Sequence, residues 1–318
     1  MNPAPTLYSI TPAADGAAGV VVTPTWTQVG GGPLASDYTH LAALPLNGST
    51  LLLAVAPGGA ATAFSIGAGG AGLTAAGPPF DLGTDFDIIE PFLLGNATYL
   101  LGYTADTGEI KIFYLSGDLT LSTPYSFTRT RAPGLSKNFT VCKPIVVRGL
   151  VYVLGYSMTS GAVNAYSLAV TATARQGAPA GSPALLMTPV WDHQWARNWT
   201  HFAFFTLGGE SFFFKINTGR LNVNIDHVLD TPSLGTAEVG TYLQQQLPDA
   251  SELAVVRSFT LAGDPCFLTY KSDGTTIVRR FRGDCLGWSQ QAALTSAAEA
   301  THIVALGASD TQVFALFC

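Results

Sequence analysis

The chain has 318 residues, of which only 11% are charged, with 15 Lys and Arg against 21 Asp and Glu for a formal net charge of −6. No cluster of Lys or Arg supplies the basic face that phosphate neutralisation needs, so nucleic acid is excluded as a partner. The apolar runs are strand-length and fall short of the ~20 residues of a membrane-spanning helix, so no membrane role is expected.

The first ten residues, MNPAPTLYSI, carry neither a basic nor an apolar leader segment and end in a strand-like run, Leu7 to Ile10. No cleavable signal is therefore expected within them, and a cytoplasmic protein or a secreted one with its signal removed fits equally. Close copies of that run follow at Ala63 to Ile66, Ile112 to Leu115 and Ala165 to Leu168. A second apolar run starts at Thr50, Thr98, Val151, Ser211, Pro265 and Gln312, at spacings of 47 to 60 residues. Each is preceded by a further run, such as Thr39 to Leu44 or His201 to Phe205. Thr-Pro pairs at Thr23, Thr123 and Thr188 mark a fourth element, followed closely by Trp or Tyr.

Units of about this length with four short strands each are the signature of β-propeller blades. The expected fold is all-β: a six-bladed β-propeller with four antiparallel strands per blade, forming a single domain over residues 1–318. Turns at Asp106-Thr107-Gly108, Asn217-Thr218-Gly219 and Ser272-Asp273-Gly274 join second to third strands, where glycine supplies a positive φ. Because Leu7 to Ile10 matches a third strand and the C-terminal runs match a first and a second, the ring should close by N-terminal outer strands pairing with C-terminal inner strands. Strands packed between blades are buried on both faces, which accounts for a charge content less than half the usual ~25%.

Cys142, Cys266, Cys285 and Cys318 show no metal-ligand spacing and read mainly as buried thiols, with a Cys266 to Cys285 bridge as the alternative. Sequons at Asn47, Asn96, Asn138 and Asn198 are compatible with secretion, although two pairs of them occupy equivalent repeat positions. GxSxG, HExxH and nucleotide-loop motifs are missing, so neither a cofactor nor a metal is expected.

The repeat itself supplies a ruler. One position early in the first strand reads His40, Ile88, Val141, His201, Val255 and His302, and two residues further on it reads Ala42, Glu90, Lys143, Ala203, Arg257 and Val304. The first strand is innermost, so these side chains should ring one mouth of the central channel. A three-histidine metal site has poor geometry there, because blade 4 lies across the ring from blades 6 and 1. The first reading of these histidines is a Thr-His relic of the repeat, each imidazole bonding a neighbouring blade, with a ligand or substrate role as the alternative. Glu90 should pair with Lys143 or reach toward Arg257. Nearby loops add Asp37, Tyr38, Asp85, Asp87, Asn138 and Asn198. The segment Trp191 to His201, with Trp191, Trp195 and Trp199, follows an Ala/Gly/Pro/Ser-rich insertion, Thr171 to Pro189, read as a possible lid.

The stretches Asn198 to Asn222 and Phe86 to Ile112, with their Trp…Gly…Phe…Tyr…Thr-Gly pattern, resemble blades of fungal and bacterial sugar-binding propeller lectins. In architecture, length and Ala/Gly-rich apolar character the whole chain loosely resembles fungal hetero-Diels-Alderases, which join a quinone-methide-like partner to a terpene. Divergence between blades argues for one asymmetric site. The first reading is therefore a cofactor-independent cyclase holding an apolar natural-product intermediate in one mainly apolar pocket at the channel mouth. No motif of that family carries over residue by residue; under this reading the repeat-breaking His40, His201, His302, Arg257 and Glu90 are the candidate catalytic residues, and Tyr38, Asp87, Lys143, Trp191, Trp195 and Trp199 the candidate substrate-binding ones. The alternative is a carbohydrate-binding lectin whose partner is a glycan.

Overall fold

A computed structural model describes residues 5–13, 19–27, 34, 38–128, 136–171, 184–220, 222–229, 235–238, 245–246, 252–283, 287–295 and 300–318. The chain is an all-β six-bladed propeller with mostly four-stranded blades. Blade 1 comprises His40–Leu46, Ser49–Val55, Ala60–Ile66 and Leu73–Ala75, with Phe80–Asp81 also on its third strand. Blade 2 comprises Ile88–Leu94, Ala97–Thr104, Glu109–Leu115 and Tyr125–Phe127; blade 3 comprises Val141–Val147, Leu150–Tyr156, Ala162–Thr171 and Ala184–Gln194. Blade 4 runs through His201–Leu207, Glu210–Asn217 and Asn222–Leu229, which pairs with both Gly235–Glu238 and Gln245–Gln246. Blade 5 comprises Leu253–Leu261, Asp264–Lys271, Thr275–Phe281 and Trp288–Thr295.

Blade 6 joins the two ends of the chain. Ile303–Ser309 and Gln312–Phe317 form its inner strands, Thr6–Pro12 pairs antiparallel with the latter, and Val20–Thr27 lies outside. Leu7 and Ile10 are fully buried in this closure. An irregularity between Gly307 and Ser309 shifts the hairpin register, so His302 bonds Cys318 and the residue of blade 6 equivalent to Leu51 is Phe314 rather than Val313. Of the three turn glycines, Gly108 and Gly274 take positive φ, at 72° and 87°. Gly219 is not among the positive-φ residues, and its turn instead uses Asn217, whose side chain accepts from the Arg220 N–H.

Adjacent blades are tied at one repeated point, by one of two side chains. In blades 2, 3 and 5 the second strand carries Tyr103, Tyr156 or Tyr270. The Tyr103 hydroxyl donates to Ser136 O and accepts from the Phe139 N–H, and Tyr156 does the same with Ala196 O and Trp199 N. Tyr270 accepts from the Ala300 N–H at 2.8 Å. In blades 1, 4 and 6 the residue across the ladder is histidine instead. Its Nε2–H donates to a carbonyl of the next blade: His40 to Asp87, His201 to Ala254 and His302 to Thr39. Directly opposed residues share a sheet face, so each blade spends one bulky polar side chain there and fills the partner position with Ile, Val or Cys.

A buried peptide group left without its partner costs ~1–3 kcal/mol. Tyr156→Phe strands both Ala196 O and Trp199 N, and should lower unfolding free energy by about that much, measured by urea titration. Tyr270→Phe, which among the described residues strands a single N–H, should cost less, and equal losses would contradict this account of the joint.

Candidate functional site

The first strands enter from one face of the ring, and there the structure encloses a cavity of about 430 Å³ in the central channel. Its wall includes His40, His201, His302, Asp87, Glu90, Lys143 and Arg257, so seven of the residues selected by the ruler and the loops do converge. Polar and apolar atoms contribute about equally to the lining, which corrects the expectation of a mainly apolar pocket.

The imidazoles are held at both nitrogens. Nδ1 of each lies 2.9–3.1 Å from the preceding threonine hydroxyl, at Thr39, Thr200 and Thr301, and Nε2 is committed to the next blade's carbonyl. Burial lowers the pKa of His201 and of His302, and the charge of Arg257 lowers both further, against the opposing effect of the backbone acceptor. Among the described residues, no three His, Cys, Asp or Glu side chains converge to hold a metal ion.

Of the two partners open to Glu90, the structure selects Lys143, with Nζ 2.5 Å from Oε2 across the joint between blades 2 and 3. Arg257 is anchored differently. Its Nε donates to Ile303 O at 2.8 Å and its Nη1 to Val256 O at 2.9 Å, while the side chain stays accessible from the channel. Protein surrounds it on most sides all the same, so burial lowers its pKa, opposed by the charge of Glu90. Accessible surface and burial differ here because a narrow channel admits solvent without restoring bulk dielectric.

The remaining residues singled out in the sequence lie elsewhere. Tyr38 packs half-buried against the core between blades 6 and 1, and Asp37 falls outside the described residues. Asp85 and Asp87 accept from the N–H groups of Gly58 and Ala105, fixing turns at the rim. Asn47, Asn96, Asn138 and Asn198 are all exposed. Thr171 and Ala184, the ends that flank residues 172–183, join a third to a fourth strand and so lie at the face opposite the histidines. Residues 172–183 themselves, on which the expectation of a lid rests, lie outside the described residues. Cys142 and Cys266 are buried free thiols, and burial pushes Cys266 up to about 12; Cys285 lies outside the described residues.

The tryptophans do not reach the cavity lining. Trp195 and Trp199 are buried between blades 3 and 4, with Trp191 packed against them. Their surroundings are unusual for the interior. In blades 2 and 3 an aromatic ring lies flat on a second-strand glycine: a Cβ at Gly102 would come within 2.7 Å of Phe86, and one at Gly155 within 2.3 Å of Phe139. In blade 4 that position is Lys215, whose ammonium lies 4.6 Å from the Trp195 centroid and 5.0 Å from that of Trp199. Asp226 Oδ2 lies 2.5 Å from it in an ion pair, and both side chains are almost wholly buried. Burial raises the Asp226 pKa and the charge of Lys215 opposes the rise.

The ruler missed Phe202 and Phe204, which line the cavity from blade 4. Read one and three positions beyond the histidines, the same alignment gives Leu41, Ile89, Cys142, Val256 and Ile303, then Ala43, Pro91, Pro144, Ser258 and Ala305, with an aromatic residue only in blade 4. That asymmetry was present in the sequence but hidden among ordinary apolar strand residues.

The chain matches no protein-family model and no curated relative. In fold it is similar to a triple arginine-to-alanine variant of AofleA from Arthrobotrys oligospora, with 10% identity, 87% of this chain and 77% of that one covered and a TM-score of 0.52. It is also similar to a protein from Lactobacillus plantarum, with 13% identity, 95% and 85% covered and a TM-score of 0.52. The SapL1 lectin, solved with alpha methyl fucoside, shares 12% identity over 84% of each chain with a TM-score of 0.49. At these identities the likeness extends to the propeller fold alone.

Two outcomes follow. Breaking a buried ion pair by removing one partner costs ~3–5 kcal/mol, because the remaining charge stays buried. Asp226→Asn should therefore destabilise by about that amount, while the double replacement Lys215→Met with Asp226→Leu should recover much of the loss in urea unfolding. For His201 and His302, the folded pKa lies below the unfolded value of about 6.5, so the unfolded chain binds more protons as pH falls. Stability should be full above about pH 6.5 and decline on acidification below it. A smaller decline between pH 7.5 and 5.5 in His201→Asn than in the parent would assign part of it to that ring, and identical declines would not.

Proposed function

We propose that this propeller is a carbohydrate-binding protein with a single asymmetric site in the central channel. The observation that carries the reading is the composition of one cavity wall: the Glu90–Lys143 pair and Arg257, the hydroxyl-bearing Thr39, Thr140, Thr200 and Ser258, and the rings of Phe202 and Phe204. A sugar presents a rim of hydroxyls and a face of C–H groups, and this wall offers partners for each. Fixed carboxylate and ammonium groups accept from and donate to hydroxyls, while aromatic rings cover the apolar face. A cavity of about 430 Å³ is within the usual range for small ligands.

Thr39, Thr140 and Thr200 recur at one repeat position, but the three charged groups, Ser258 and the two phenylalanines change from blade to blade, which favours one site per chain over a ring of equivalent ones. Cofactor-free cycloaddition, the function implied by the hetero-Diels-Alderase resemblance, calls for apolar walls around a terpene, and the mixed lining speaks for a hydroxylated ligand instead.

A glycan array followed by calorimetric titration of the best ligand tests this directly. One ligand per chain is expected, with at least a tenfold loss of affinity, about 1.4 kcal/mol, in Phe204→Ala and in Glu90→Gln. Several equivalent sites per chain, or binding unaffected by both changes, would overturn the channel site. Failure of every glycan would overturn the sugar reading itself.

A further inference from the structure

We infer that the channel site selects an acidic sugar, one carrying a carboxylate or sulfate, and that Arg257 is the group that recognises it. The inference rests on the carbohydrate reading above and specifies its ligand.

The argument is an account of charges around the cavity. Four groups there can carry full charge near neutral pH: Asp87, Glu90, Lys143 and Arg257. Asp87 Oδ2 accepts from the Ala105 N–H, which fixes it at the rim. Glu90 and Lys143 neutralise one another in direct contact. Arg257 has backbone partners, the carbonyls Ile303 O and Val256 O, but no carboxylate in contact with it among the described residues. Burial depresses the pKa of two of the three histidines, so these remain neutral near pH 7 and contribute no competing positive charge.

The two carbonyl bonds also give Arg257 its usefulness. A guanidinium has five N–H donors in a planar fork, and only Nε and one on Nη1 are occupied, so the others have no protein acceptor. Anchoring at both ends of the fork holds the plane still before a ligand arrives, which lowers the ordering cost of binding. Planar, rigid and partly desolvated, it matches the geometry of an anionic oxygen pair better than that of a single hydroxyl. Glu90 opposes an incoming anion but is in contact with Lys143, and Asp87 at the rim brings the four lining charges to zero, so the positive charge without a carboxylate in contact is that of Arg257. In a protein with an overall charge of −6 its guanidinium is thus a local positive centre on the channel wall.

The test compares four probes by calorimetry on the full chain: a uronic-acid oligosaccharide, its neutral methyl ester, a sulfated sugar, and citrate as a carboxylate without a sugar. The acidic oligosaccharide or the sulfated sugar is expected to bind at least tenfold more tightly than the ester, with the preference falling as salt rises from 50 to 500 mM. Which of the two binds identifies the anion. Arg257→Lys keeps the charge but loses the fork, and should reduce the preference. Arg257→Met should abolish it, with circular dichroism and thermal melting confirming that the variant folds. Equal affinity for acid and ester, or a preference that survives in Arg257→Met, would overturn the inference while leaving the carbohydrate reading intact. Binding of citrate with no sugar bound would do the reverse, and no binding by any probe would overturn both.

Discussion

The ring depends on how one blade is joined to the next. A propeller has as many joints as blades, and each brings the start of one first strand against the end of the preceding blade's inner strands. Backbone groups outside the sheet ladders gather there, among them the buried N–H groups of Phe139, Trp199 and Ala300, and side chains satisfy them. This chain uses two solutions. A tyrosine on the second strand reaches forward to the incoming loop, or a histidine on the first strand reaches forward to the next carbonyl. The choice alternates irregularly, histidine in blades 1, 4 and 6 and tyrosine in blades 2, 3 and 5. Both lie on the same face of the sheet at opposed positions, so using both in one blade would overfill the joint and using neither would leave it open.

This exchange explains why three histidines share one repeat position, and it bears out the reading that each imidazole bonds a neighbouring blade. Three of five histidines at one repeat position is a strong departure from chance, and a metal site or a catalytic set is a natural reading of it. The tyrosines that complete the pattern stand in a different strand, fifteen residues downstream of the first-strand residues they oppose. Only the ladder register shows the two to be alternatives. The imidazoles still border the cavity, and they shape its polar rim, but their hydrogen-bonding capacity is spent mainly on closing the ring.

Much of the fold was legible because its signals are local and repeated. Repeated short apolar runs, turn glycines such as Gly108 and the spacing of six second strands each point to the same architecture, and the third-strand match of Leu7 to Ile10 gave the closure. The site was legible only in part. Glu90, Lys143 and Arg257 stood out because charge is rare in this chain, and all three line the channel. Trp195 and Trp199 stood out for the opposite reason, as dense aromatic residues in a polar loop, and they are buried around Lys215. What separates the two cases is strand order: a residue at a fixed offset in an innermost strand has a known direction, while a loop aromatic can turn either to a mouth or into the gap between blades.

The same distinction bears on where this propeller can diverge. Positions at the joints and between blades are constrained by neighbours on two sides, as the glycine-to-lysine change in blade 4 illustrates, since Lys215 is accommodated together with a buried acid and two indole rings. Side chains that project into the channel meet solvent instead of a packed neighbour. An alanine there can become glutamate, lysine or arginine without a compensating change in the core. Asymmetry therefore accumulates in the channel at little cost to the ring, and a single specific site can arise inside a repeated scaffold without six copies of itself.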